Sequence, residues 1–161
     1  MSRTWLITGV SSGFGYEMTK QLLENGNTVI GTVRNTQKVK DLIEKYPDTF
    51  DCRILDVTDV PSVHSVVDGA FKKHGRIDVI VSNAGYGLFG AAEELTDDEV
   101  DHIIATNLTG SIALIRSALP YLRRQESGIL FRYPPTADRW LLPQTPCTTP
   151  QSSVSRASAK L

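Results

Sequence analysis

A short apolar run, Thr4-Trp5-Leu6-Ile7, leads into Thr8-Gly9-Val10-Ser11-Ser12-Gly13-Phe14-Gly15 and then into Tyr16 to Glu24, and few folds accommodate that order. The run reads as a buried strand, and Met18, Leu22 and Leu23 fall on one face of a helix. A strand, a glycine turn and a helix in succession present unpaired backbone N–H groups and the positive end of a helix dipole to whatever sits in front, which favours a phosphate. Gly9 lets the chain leave the strand tightly, Gly13 lets a pyrophosphate approach without a Cβ in the way, and Gly15 lets the helix pack closely on the sheet. The spacing is not G-x-G-x-x-G, and an ordinary tight strand-to-helix turn is the competing reading.

The chain beyond the turn repeats the alternation. Gly26 suits a helix C-terminus, and a second β-type run to Val33 follows, which completes a βαβ unit with parallel strands and a right-handed crossover. Lys38 to Tyr46 reads as a helix, Phe50 to Leu55 as a third strand, Ser62 to His74 as a helix burying Val63, Val66, Val67, Ala70 and Phe71, and Ile77 to Val81 as a fourth strand. Glu93, Glu94, Asp97, Asp98, Glu99 and Asp101 resemble a catalytic carboxylate cluster, but Thr96 with Glu99 fits a capping box and early acids suit a helix dipole. That helix is expected to run to about Leu119, with Val100, Ile103, Ile104, Leu108, Leu114, Ile115, Ala118 and Leu119 as its apolar set.

Ligand-facing candidates sit where strands end. Arg34 closes the second strand, where an acidic residue would bind ribose hydroxyls and an arginine accommodates a 2′-phosphate; no Asp or Glu lies between Gly26 and Lys40. This favours NADP over NAD, against Arg34 as a solvated loop charge. Asp56, followed by Val57, can accept a hydrogen bond from an adenine amino group or cap the helix opening near Asp59-Val60-Pro61. Asn83-Ala84-Gly85 combines small residues that let backbone approach a ligand with an amide able to tie loops together. Asn107 lies within an apolar helix, either as a core hydrogen-bonding device or as part of a site. His64, His74 and His102 share no ligand spacing, so no metal site is expected, and they read as solvated or locally bonded.

With 161 residues and a formal net charge of −1, the chain suits one domain and neither a nucleic-acid partner nor a disordered acidic protein. No apolar run looks long enough to span a bilayer and no signal-type segment opens the chain, so a cytoplasmic protein without a membrane partner is expected. Cys52 and Cys147 are too few and too far apart for a disulfide framework. Composition changes near Phe131: residues 131–161 carry a balance of +3, five of the eight prolines and none of the twelve glycines. Residues 1–130 therefore read as a nucleotide-binding domain and 131–161 as a disordered tail.

Thr8-Gly9-x-x-x-Gly13-x-Gly15, Asp56-Val57, Asn83-Ala84-Gly85 and Asn107, in that order and separation, resemble the classical short-chain dehydrogenase/reductase family over about residues 3 to 130. Ser82 departs from it, standing where the family commonly has a second Asn. The resemblance implies an α/β fold, a doubly wound parallel Rossmann-like sheet, here incomplete after the fourth or fifth strand. It implies NAD or NADP binding, hydride transfer to or from a small-molecule carbonyl or alcohol, and usually a homo-oligomer. Gly9, Ser11, Ser12, Gly13, Phe14, Gly15, Arg34, Asp56, Val57, Asn83, Ala84 and Gly85 would then contact NADP, and Asn107 would match the active-site Asn that holds a water in a proton relay. The family's catalysis also rests on a Ser at the end of the fifth strand and a Tyr-x-x-x-Lys. Here Tyr133 is followed at 137 by Ala and Tyr121 at 125 by Gln, so the expected enzyme is inactive as written.

Translation one base out of register accounts for the tail. Junction codons at Tyr133-Pro134 and Pro134-Pro135 permit Ser, those from Thr136 to Asp138 permit Gly-Gly, Cys147-Thr148 permits only Tyr or His, and the next junctions permit His, Ala, Thr and Lys. The hidden frame thus accommodates the missing Ser and Tyr-x-x-x-Lys at family spacing. The rivals are a catalytically silent NADP-binding or interaction protein with a genuine tail, and a basic tail contacting nucleic acid, for which the positive charges are few.

Overall fold

The computed structural model describes residues 2–88 and 90–133. Five strands alternate with helices: β1 (Thr4–Thr8), α1 (Gly13–Glu24), β2 (Thr28–Val33), α2 (Lys40–Lys45, after a 3-10 turn Thr36–Val39), β3 (Phe50–Ile54), α3 (Val60–His74), β4 (Val79–Ser82), α4 (Asp97–Ile104), α5 (Gly110–Arg124) and β5 (Ile129–Arg132). All pairings are parallel and the order is β3-β2-β1-β4-β5. The chain therefore winds outward in one direction from β1 to β3 and in the other from β4 to β5. Such a reversal leaves a crevice at the carboxyl ends of the strands beside β1, where open α/β sheets bind ligands.

Both faces of the sheet are covered, which explains why its strands read as nearly continuous apolar runs. Leu6, Ile30 and Ile80 point into one core with Val63, Val67 and Phe71 of α3 and Leu114 and Ala118 of α5. Ile7, Val29, Val79 and Val81 point the other way, onto Leu23 of α1 and Leu42 of α2. Each such fully buried Leu, Ile or Val contributes roughly 1.5–3 kcal/mol relative to an exposed position. Gly31 is the exception inside β2: a Cβ there would come within 2.7 Å of the Phe50 ring and the Val10 side chain.

The caps follow from side-chain chemistry. Thr96 and Glu99 form the reciprocal capping box at the start of α4. At α3 the N-cap is Asp59, whose carboxylate accepts from Ser62 N–H at 3.2 Å, with Pro61 in the first turn. This removes the capping alternative for Asp56, which turns instead toward Thr58.

Helices α4 and α5 are one continuous helix interrupted by a π turn at Ala105–Thr109, and it passes Pro120 to end at Arg124, five residues beyond the expected stop. Its last turns are held by Tyr121, which stacks on Phe71 at 4.3 Å and donates to Asp68 at 2.5 Å. By length and composition alone, Asp97–Arg124 is long and apolar enough to cross a membrane, contrary to the expectation from the sequence. Ala113, Leu114 and Ala118 are nevertheless packed against the sheet. Much of the expected apolar set is not buried: Val100, Ile104, Leu108 and Leu119 are exposed together with Ile112. Residues 131 and 132 complete β5 and Tyr133 follows it, whereas residues 134–161 of the expected tail, with Cys147 and the displaced-frame junctions beyond Tyr133, lie outside the described residues.

Candidate functional site

The glycine turn is built by the end of β1. Gly9 adopts φ +73 and its N–H donates to Thr32 O at 3.0 Å, as does that of Val10 at 3.1 Å, so β2 anchors the exit from the strand. A Cβ on Gly9 would sit 2.8 Å from Ala84 Cα. Gly15 is equally constrained, because its Cβ would lie 2.4 Å from both Asn83 Nδ2 and Gly9 O. The close approach it permits is therefore to the loops beside the sheet. Gly13, at φ +57, has nothing within 4 Å of where a Cβ would be, so its missing side chain leaves open space in front of the helix. Ser12 provides α1 with no side-chain cap and no acidic residue stands in the first turn. Among the described residues, the first amides of α1 thus keep their positive dipole end without a side-chain cap or an acidic partner in the first turn.

Asn83 ties this turn to β4. Its Nδ2 donates to Thr8 O at 3.0 Å and Gly9 O at 2.9 Å, while Thr8 Oγ1 accepts from Asn83 N–H and Ala84 N–H, each at 3.1 Å. Ser82, the departure from the family pattern, is buried and donates to Ser111 Oγ at 3.0 Å; Ser111 in turn donates to Asn107 O at 2.8 Å.

One cleft of about 750 Å³ opens at the carboxyl ends of the strands, and Gly9, Ser11, Ser12, Gly13, Phe14, Gly15, Arg34, Asp56, Val57, Asn83, Ala84 and Gly85 all line it. Arg34 and Asp56 lie on the β2–β3 side. Hydrogen bonds from the Thr58 N–H (2.9 Å) and hydroxyl (2.7 Å), helped by the Arg34 charge, hold the Asp56 carboxyl below its ordinary value. It is therefore an acceptor at neutral pH.

Asn107 is placed differently. It sits in the π turn and does not line the cleft, although its neighbour Thr106 does. Its Oδ1 accepts from Tyr86 N–H at 3.0 Å and its Nδ2 donates to Tyr86 O at 2.9 Å. Both ends of the amide are spent on holding the segment that follows Gly85. The Asn107 carbonyl also accepts from Arg132 Nη2 at 3.3 Å.

Thr32, Tyr86, His102 and Tyr133 also line the cleft and were missed from the sequence. Tyr133 stacks on Phe14, and His102 lies 5.9 Å from the Tyr86 ring, so one of the histidines expected to be solvated or locally bonded borders the site. The other two are locally bonded: His64 Nδ1 lies 2.7 Å from Ser117 Oγ and His74 Nε2 lies 3.0 Å from Asp51. Tyr16 and Lys20 have the Tyr-x-x-x-Lys spacing but lie in α1, and neither lines the cleft. The Tyr16 hydroxyl donates to Asp41, which together with partial burial pushes its pKa up to about 12, unsuited to proton transfer near neutrality.

The family model described as short chain dehydrogenase matches residues 3–131. Oxidoreductase BOA17 of Botryotinia fuckeliana is 36% identical over 133 residues, which are 82% of this chain and 48% of that protein. The crystal structure of a short-chain dehydrogenase from Streptomyces avermitilis superposes with TM-score 0.78 at 38% identity, over 81% of this chain and 48% of that one. The structure of ElxO with NADP bound superposes with TM-score 0.75 at 30% identity, over 82% of this chain and 55% of that one. The chain thus spans about half the length of the relatives it matches. Strand order, glycine turn and the extent of the family match agree: the chain belongs to the short-chain dehydrogenase family.

Proposed function

We propose that residues 1–130 are the NADP-binding part of a short-chain oxidoreductase, and that the chain as written is catalytically impaired. The observation that carries this is the convergence of every expected cofactor-contacting residue on one cleft above the start of α1. The open space at Gly13 and the uncapped amides of α1 suit a pyrophosphate. Arg34 suits a 2′-phosphate, Asp56 an adenine amino group, and Asn83, Ala84 and Gly85 the opposite wall. The related structure with NADP bound supports NADP over NAD. When bound, the nicotinamide supplies hydride transfer with a carbonyl or alcohol carbon of a small molecule. The chain's own residues bind and orient; Asn107 serves as a positioning residue that fixes the Tyr86 segment. Titration of the full chain with NADPH and NADH tests this: NADPH binds more tightly, and Arg34→Ala narrows the preference about tenfold, the scale of one charge-assisted hydrogen bond. Equal affinity for both nucleotides before substitution contradicts the assignment.

The catalytic deficit and the tail have one explanation in the displaced reading frame. Resequencing the gene through the codons for Ser127 to Leu161 and beyond is expected to find Ser, Tyr and Lys codons in that frame, followed by roughly another hundred codons, as a family-sized domain requires. A displaced frame that closes quickly favours the second reading, a silent NADP-binding or interaction protein with a genuine tail.

A further inference from the structure

We propose that Tyr133 is a built-in occupant of the cleft, its ring covering Phe14 where the nicotinamide half of a dinucleotide would lie, so that binding must first swing Tyr133 aside. The proposal rests on the cofactor assignment above. Phe14 leaves the glycine turn and Tyr133 leaves the end of β5, and their rings stack with centroids 4.6 Å apart and planes 12° from parallel. At that separation the two faces are already in contact, and no third ring fits between them. Both side chains line the cleft, with Phe14 53% and Tyr133 42% exposed.

The main chain is tied where it enters Tyr133. Its N–H donates to Ser82 O at 2.9 Å, and Arg132 Nη2 reaches Asn107 O at 3.3 Å. Opening is therefore a rotation of the side chain, with β5 left in place. The sheet order decides which half of a ligand meets the ring. Arg34 and Asp56, at the ends of β2 and β3, lie on one side of the glycine turn, and Tyr133, at the end of β5, lies on the other. A dinucleotide with its adenosine at Arg34 and Asp56 and its pyrophosphate at the turn delivers its second ring toward Tyr133.

The test is calorimetric titration of the full chain and of its Tyr133→Ala and Tyr133→Phe variants with NADP⁺ and with 2′,5′-ADP, which lacks the nicotinamide half. Tyr133→Ala is expected to tighten NADP⁺ binding about three- to tenfold, the range of one aromatic pair, and to leave 2′,5′-ADP unchanged. Tyr133→Phe keeps the ring and is expected to match the parent chain. Unchanged or weaker NADP⁺ binding by Tyr133→Ala, or equal tightening of 2′,5′-ADP, overturns the proposal and leaves the cofactor assignment standing. No binding of NADP⁺ by any of the three, each unfolding cooperatively, overturns both.

Discussion

Gly13 and Gly15 stand two residues apart in one turn, yet a methyl group at each meets a different obstacle. At Gly15 the methyl would run into Asn83 Nδ2 and the Gly9 carbonyl, so Gly15→Ala is expected to cost about 1–3 kcal/mol in urea unfolding and to loosen the Asn83 ties. At Gly13 the methyl finds open space, and only the left-handed backbone charges about 1–2 kcal/mol. Gly13→Ala should instead weaken NADP⁺ binding, because the methyl projects where a phosphate approaches. Equal binding by Gly13→Ala and the parent chain would place the phosphate elsewhere. Asp51 offers a second residue-scale test. Burial works against its charge, but hydrogen bonds from His74, Arg53 and Lys73 prevail and lower its pKa from 3.8 to about 2. A depressed carboxyl stabilises the fold above its unfolded pKa, and that contribution is lost as pH falls from about 4 toward 2. Asp51→Asn should remove about 2 kcal/mol at neutral pH and flatten stability across that acid window, as followed by pH-dependent urea unfolding.

Among the elements, the long α4–α5 helix shows most clearly what a linear reading captures. Its start was legible because a capping box is a local signal, and Thr96→Ala is expected to cost about 1 kcal/mol in the same unfolding assay. The π turn was not legible, since nothing local in Ala105-Thr106-Asn107-Leu108-Thr109 announces it. It coincides with contacts from far along the chain: Asn107 pairs with the Tyr86 backbone, and a Cβ on Gly110 would lie 2.7 Å from Val57 O. The end of the helix was not legible for the same reason: it runs past the expected stop near Leu119 with Pro120 inside it, because packing of Tyr121 on Phe71 outweighs the loss of one backbone donor. The site divides likewise. Its glycine turn and strand-end residues were legible because β1, β2, β3 and β4 announce themselves by local pattern, and ligand-facing residues follow strand ends. Thr32, Tyr86, His102 and Tyr133 enter the cleft only through tertiary arrangement, and no spacing in the sequence links them.

For the whole molecule, the sheet is sound on both faces but has no further strand beside β5 among the described residues. Ile104, Leu108 and Ile112, each more than two-fifths exposed, form an apolar stripe on the outer face of α4–α5. Such a stripe favours self-association, so sedimentation is expected to show concentration-dependent association that Leu108→Lys reduces. A parent chain that stays monomeric at all concentrations would argue against it. The central claim, that this chain carries a working NADP cradle, is tested most directly by hydrogen–deuterium exchange of the full chain with and without NADP⁺. The expected result is protection centred on Gly9–Gly15, on the strand ends around Arg34 and Asp56-Val57, and on Asn83–Gly85. Unchanged exchange in all three segments at saturating NADP⁺, or protection only elsewhere, would contradict it.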